Sequence, residues 1–134
     1  MKYYLDTAIW IDMHENRTDR FRPLGEWAFE LLRKIRKEKH TVVYSDILID
    51  ELLRKYSRQE IQKIFGIAQQ LEKVITHKEQ LKEAAKLCKY LKIPWGDCLH
   101  AILARDRGAI MVTRDRHFEQ LHCIIKAKKP EELI

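Results

Sequence analysis

The chain has 134 residues, of which 46% are hydrophobic and 34% charged, with 26 Lys and Arg against 20 Asp and Glu for a formal net charge of +6. One domain spanning residues 1–134 is expected: the length suffices to bury a core without disulfides or a structural metal, and Gly (4) and Pro (3) are too scarce for a disordered or linker-rich chain. No apolar run reaches membrane-spanning length, and the start MKYYLDTAIWIDMHENR is too acidic at Asp6 and Asp12 for a secretory signal, so a cytoplasmic protein that avoids the membrane is expected.

Cys88, Cys98 and Cys123 are odd in number and lack CxxC spacing, which argues against a disulfide framework or a zinc ribbon; they read as reduced, small core residues. The positive balance suits a polyanionic partner, although solvated basic helix faces produce the same composition.

In chain order, Lys2 to Asp6 (KYYLD) reads as a buried first strand with Asp6 at its carboxyl end. A polar stretch at Glu15 to Arg22 follows. Pro23 then suits a first helical turn, and Leu24, Trp27, Ala28, Leu31, Leu32 and Ile35 recur at helical spacing to near Lys39. Thr41 to Tyr44 (TVVY) is a β-branched second strand, and Ser45 or Asp46 caps a helix carrying Glu51 among Ile47, Leu48, Leu52 and Tyr56. Ser57 and Glu60 form a capping-box pattern for a further helix, so residues ~46 to 71 are expected as a helical hairpin.

Val74 and Ile75 make a minimal third strand, and a helix from Thr76 or His77 bears Leu81, Ala84, Leu87, Cys88 and Leu91. Past Pro94, Asp97 falls in the first turn of a helix reaching about Arg107, where Gly108 stops it. Ile110 to Thr113 is a fourth strand with Asp115 just beyond its end. A short helix with Phe118 and Leu121 leads to a last apolar run, Cys123 to Ile125. Strands alternating with helices predict an α/β fold with a parallel sheet of four to five strands.

Asp6, Glu51, Asp97 and Asp115 each stand where an apolar run ends or a helix pattern begins. In an open parallel sheet such positions converge on one crevice. Two carboxylates ~4 Å apart repel by roughly 4 kcal/mol at an effective dielectric of ~20, so a cluster of four calls for protons or a hard divalent cation such as Mg²⁺ or Mn²⁺. That donor set suits metal-dependent phosphoryl transfer. Asp6 is the first choice of ligand, being held on a strand end, whereas Asp115 in a turn suits an indirect role through water. Asp97 has a structural alternative at the positive end of its helix, and Glu51 has one in an ion pair with Arg54 or Lys55.

Thr113 and Thr7 offer hydroxyls to orient a carboxylate or water. His100, three residues after Asp97 on the same face, reads first as a hydrogen-bonded histidine and second as a sharer in metal or phosphate contact. Asp12 and Asp19 are loop or capping acids near the pocket edge. Arg114 and Arg116 flank Asp115 and, with Arg17, Arg20 and Arg22, are candidates for a nucleic-acid backbone. Trp10 and Trp95 are core aromatics or base-stacking platforms.

Three segments, LDTAIWID around Asp6, SDILIDEL around Glu51 and DCLHAILARDRGAIMVTRDRHF from Asp97 to Phe118, resemble the PIN-domain ribonucleases, in particular the VapC-type toxins of prokaryotic toxin–antitoxin pairs. Asp97, Ala101, Ala104, Gly108, Ala109, Thr113, Asp115 and Phe118 match in order and spacing. The resemblance implies a three-layer α/β/α fold with sheet order 3-2-1-4-5 and an Mg²⁺- or Mn²⁺-dependent endoribonuclease. It also implies Asp6, Glu51, Asp97 and Asp115 as catalytic and metal-binding acids, with Thr113 beside them. A VapB-type antitoxin and a homodimer are the implied partners besides RNA. Ala8 departs from the family, which often has Asn or Ser there, and this bears on fine positioning rather than on the acids. The alternative is a PIN-like module that binds RNA or protein without cutting. A haloacid-dehalogenase phosphatase would want an acid at Ala8, a receiver domain an acidic pair at the first strand, and an NTPase a Gly-rich loop.

Overall fold

Tyr3, Tyr4 and Leu5 are consecutive and all buried, so strand β1 (Lys2–Leu5) is covered on both faces, as the central strand of a parallel sheet must be. The computed structural model describes residues 1–134. β1 pairs with β2 (Thr41–Ser45) on one side and β4 (Ile110–Val112) on the other, Tyr4 lying opposite both Val43 and Met111. β3 (Leu71–Val74) and β5 (Ala127–Lys128) complete a five-stranded parallel sheet in the order β3-β2-β1-β4-β5, the order expected. Six helices link the strands: α1 (Thr7–Glu15), α2 (Leu24–Lys37), α3 (Asp46–Leu53), α4 (Arg58–Phe65), α5 (Lys78–Leu91) and α6 (Trp95–Asp106).

The structure corrects three element assignments. The chain enters α1 directly after Leu5, with Asp6 as its N-cap, where the sequence pattern had suggested no helix. Thr7, Ile9, Trp10, Asp12 and Met13 of α1 are all buried, so no single apolar stripe marks it. The expected hairpin through residue 71 stops at Phe65, and Leu71 instead opens β3, whose register sets Leu71 against Val42 and Val74 against Ser45. Ile75 lies exposed beyond that strand. Finally, the last strand, which the sequence pattern had not placed, is Ala127–Lys128, just past the apolar run Cys123 to Ile125, and it is anchored by the Thr113 N–H donating to the Lys128 carbonyl at 2.9 Å.

Local signals explain the other boundaries. Ser45 Oγ accepts the Leu48 N–H at 3.2 Å to start α3, and Ser57 with Glu60 forms the expected capping box of α4. Gly108 ends α6 with φ +62°, a conformation that favours glycine. Gly25 on α2 lets that helix close on the end of α1, since a Cβ there would lie 2.5 Å from Asn16 Cα. Of the three cysteines only Cys98 is a core residue; Cys88 is half-buried and Cys123 is exposed.

Candidate metal centre

The carboxyl ends of β1 and β4, the start of α6 and one face of α3 bring the acids together. Asp6 is 8% exposed, and each of its oxygens is held: Oδ1 accepts the Thr7 N–H at 2.8 Å and Oδ2 accepts the Thr113 hydroxyl at 2.8 Å. Thr113 Oγ1 in turn accepts the Asp115 N–H at 3.0 Å. One threonine hydroxyl therefore links the end of β1 to the turn after β4.

Glu51 reaches the same region from α3. Its Oε2 accepts the Thr7 hydroxyl at 2.6 Å, and its Oε1 lies 2.7 Å from His100 Nε2. His100, fully inside the protein, continues through Nδ1 to Tyr4 Oη at 2.6 Å, and Tyr4 Oη meets Ser45 Oγ at 2.7 Å. With the imidazole neutral, the Leu48 N–H on Ser45 Oγ leaves one direction that satisfies every proton, in which Ser45 donates to Tyr4, Tyr4 to His100 Nδ1 and His100 Nε2–H to Glu51; a protonated His100 donates from both nitrogens, to Tyr4 and to Glu51. Tyr4 is a strand residue of β1 and His100 an α6 residue, so this chain of bonds stitches three elements beneath Glu51. Glu51 is thus neither a solvent residue nor an ion-pair partner of Arg54 or Lys55.

Asp97 and Asp115 meet at a histidine that the sequence pattern had not singled out. His117 Nδ1 lies 2.8 Å from Asp97 Oδ2 and 3.0 Å from Asp115 Oδ1. Asp115 is the N-cap of a 3-10 turn, Arg116–Glu119, and its side chain accepts the His117 N–H at 2.9 Å, which folds the imidazole back over the acids. Asp97, Asp115 and His117 can each present a ligand atom so that all lie within 4.8 Å of one another. Asp6 and Glu51 stand outside that trio and are joined to it through Thr113 and Thr7.

The electrostatics are those of a site short of positive charge. Burial, and then the charge of Asp115, push the Asp97 carboxyl up to about 6. Burial also raises Asp6, against the pull of His100 and its hydrogen bonds from Thr113 and Thr7. Burial pushes Glu51 up too, but the hydrogen bond from His100 and its charge when protonated, together with the Thr7 hydroxyl and the charge of Arg54, hold Glu51 below its usual range. The hydrogen bond to Asp97 raises His117. Carboxylate oxygens with one imidazole form a donor set that fits a hard or borderline divalent ion of the Mg²⁺ or Mn²⁺ kind.

Other candidates divide. Trp10 is buried and packs edge-on against Phe65, while Trp95 is 40% exposed at the start of α6. Asp12 is buried and faces Arg17 and Arg114 at 4.0 and 3.9 Å, and Asp19 pairs with Arg22 in the loop before α2. Ala8 is exposed. No helix is long and apolar enough to cross a membrane.

A parallel sheet of this order with acids gathered at its carboxyl edge defines a PIN-type fold. The PIN domain model matches residues 3–122, and the chain belongs to the PIN domain family. Among solved structures it is similar to a chain of the VapBC2 complex of Rickettsia felis bound to a DNA fragment from its promoter, with TM-score 0.69 and 21% identity over 96% of this chain and 98% of that one. It is also similar to a chain of a toxin–antitoxin complex from Klebsiella pneumoniae, with TM-score 0.64 and 15% identity over 96% of this chain and 97% of that one. No curated protein sequence matches significantly.

Proposed function

We propose that this PIN-domain protein is a metal-dependent endoribonuclease and the VapC-type toxin of a toxin–antitoxin pair. The observation that carries the nuclease reading is the convergence of Asp97, Asp115 and His117, with Asp6 tied to Asp115 through Thr113. The toxin reading draws support from the two complexes to which the fold is similar.

Asp97, Asp115 and His117 would hold Mg²⁺ or Mn²⁺ together with Asp6, with Glu51 at the rim. Such an ion, when bound, lowers the pKa of a water and offsets charge on the phosphate. The chain's own part is positional. Thr113 sets Asp6 and Asp115 relative to one another, Thr7 sets Glu51, and the Glu51–His100–Tyr4–Ser45 chain keeps that glutamate from turning into solvent. Partly buried carboxylates held this way require little reorganisation when substrate arrives. A VapB-type antitoxin, a homodimeric state and a cytoplasmic location complete the proposal.

Purified protein incubated with single-stranded RNA is expected to cut internally with Mg²⁺ or Mn²⁺ and not with EDTA, and Asp97→Asn to be inactive while folded. RNA that is bound but never cut with any divalent ion would replace this reading with the non-catalytic binding module.

A further inference from the structure

Arg114 and Arg116 flank Asp115 but face different tasks. Arg114 is turned inward: it pairs with Glu131 at 2.8 and 2.9 Å and lies over the Trp27 ring, its guanidinium carbon 5.5 Å from the ring centre. It clamps the C-terminal tail onto α2. Arg116 is exposed and has no carboxylate partner within ion-pair distance, and neither have Lys126 and Lys129, both exposed on the tail.

These three cations line one groove. A cavity of about 330 Å³ opens between the 3-10 turn and the tail, with Thr113 and Asp115 in its wall at the metal-centre end and Arg116, His122, Lys126 and Lys129 along it. The tail is held there by backbone: the Thr113 N–H donates to the Lys128 carbonyl at 2.9 Å, so the lysines on either side of β5 stand beside the strand that leads into Asp115. His122 Nδ1 lies 2.9 Å from the Glu119 carbonyl, which only accepts, so that nitrogen carries the proton and Nε2 is left for another partner. The acids nearby do not cancel the charge. Glu132 is drawn to Lys128 at 3.8 Å, and Asp115 belongs to the metal centre, which leaves Glu119 alone against three permanent cations.

We infer that this groove carries the sugar–phosphate backbone of single-stranded RNA on one side of the cleavage point, with Arg116, Lys126 and Lys129 as phosphate contacts. Exposed, unpaired cations in an open channel suit a flexible polyanion rather than a small buried anion, and they position without reading sequence. Continuity with Asp115 gives the strand a path: a phosphate at the metal centre places its neighbours in the groove. The inference rests on the nuclease reading and adds to it where the substrate runs.

The test uses the Asp97→Asn protein in EDTA, so that binding is measured without cleavage. Fluorescence anisotropy with a labelled single-stranded oligoribonucleotide is followed across a salt series. Removing three phosphate contacts through Arg116→Gln, Lys126→Gln and Lys129→Gln together is expected to lower the slope of log K against log salt by about 2, at ~0.7 per charge, and to weaken binding by about 100-fold near 0.1 M salt. A control with the same charge change on α5, Lys82→Gln, Lys86→Gln and Lys89→Gln, is expected to change binding much less. In the cleaving protein the groove variants are expected to raise KM with little change in kcat. Equal effects from both triple variants would overturn the groove, because net charge alone would then explain the binding. So would intact RNA binding with lost affinity for a polyglutamate peptide. Cleavage that survives with unchanged KM refutes the groove and leaves the nuclease reading standing, whereas a parent protein that neither binds nor cuts RNA sinks both.

Discussion

Asp97→Asn should stabilise the metal-free protein even as it removes activity. Asp97 is 16% exposed and its carboxyl is raised from 3.8 to about 6 by burial and by Asp115, with the favourable contribution of His117 already included. Between those two values the folded protein keeps a proton that the unfolded chain has released, so stability falls as pH rises through this window and stays lower above it. At 1.36 kcal/mol per pH unit the ionised Asp97 costs the fold about 3 kcal/mol at neutral pH. Asn keeps the volume and removes the charge, so urea denaturation in EDTA near pH 7.5 should show the variant about 2 to 3 kcal/mol more stable, with the two proteins converging near pH 4. Adding Mn²⁺ should then raise the wild type more than the variant, since binding to the folded state adds stability in proportion to affinity. A variant equally or less stable at neutral pH, or a difference that does not change with pH, would refute the electrostatic account of the site.

Three further outcomes are expected. His117→Ala should weaken Mn²⁺ binding by about 10-fold or more in titration calorimetry and Mg²⁺ binding by less, because imidazole suits the softer ion; unchanged Mn²⁺ binding would mean that His117 is no ligand. Tyr4→Phe removes the hydroxyl between Ser45 and His100 and leaves both short of a partner, which should lower unfolding free energy by about 1 to 3 kcal/mol in urea. Gly25→Ala sets a methyl 2.5 Å from Asn16 Cα and 2.6 Å from the Asp12 carbonyl, backbone atoms that cannot turn aside, and thermal melting should show a loss of about 1 to 3 kcal/mol; an unchanged midpoint would show that the α1–α2 junction yields freely.

The parallel α/β class and the placing of the acids at element ends were legible because they depend on local pattern: apolar runs ending in Asp6 or leading to Asp115 read the same whatever surrounds them, whereas the sheet order came only from the family resemblance. What stayed hidden depends on neighbours. Helix α1 is buried around most of its circumference, so it carries no stripe, and β3 exposes Leu71 at the sheet edge, which hides its start among helix residues. β5 is only two residues long and exists because β4 offers it a ladder. His117 sits in RDRHF, which reads as a solvated run; the available signal was its place two residues after Asp115, within the first turn of a helix that Asp115 caps. Glu51 was singled out by its apolar flanks, but its tether through His100 to Tyr4 crosses three elements and has no local signature.

The pairing of β1 with both β2 and β4 also orders events during synthesis. Residues 2–5 are made before β2, which follows within about forty residues, yet Asp6 acquires its second donor only when Thr113 arrives beside it. Asp97, Asp115 and His117 all lie in the final third of the chain. A nascent chain released before that third is made carries the central strand and two of the acids but none of the Asp97–Asp115–His117 trio. For a protein proposed to be a toxin, the proposed metal centre is thereby completed only once the segment from Asp97 to His117 has been made.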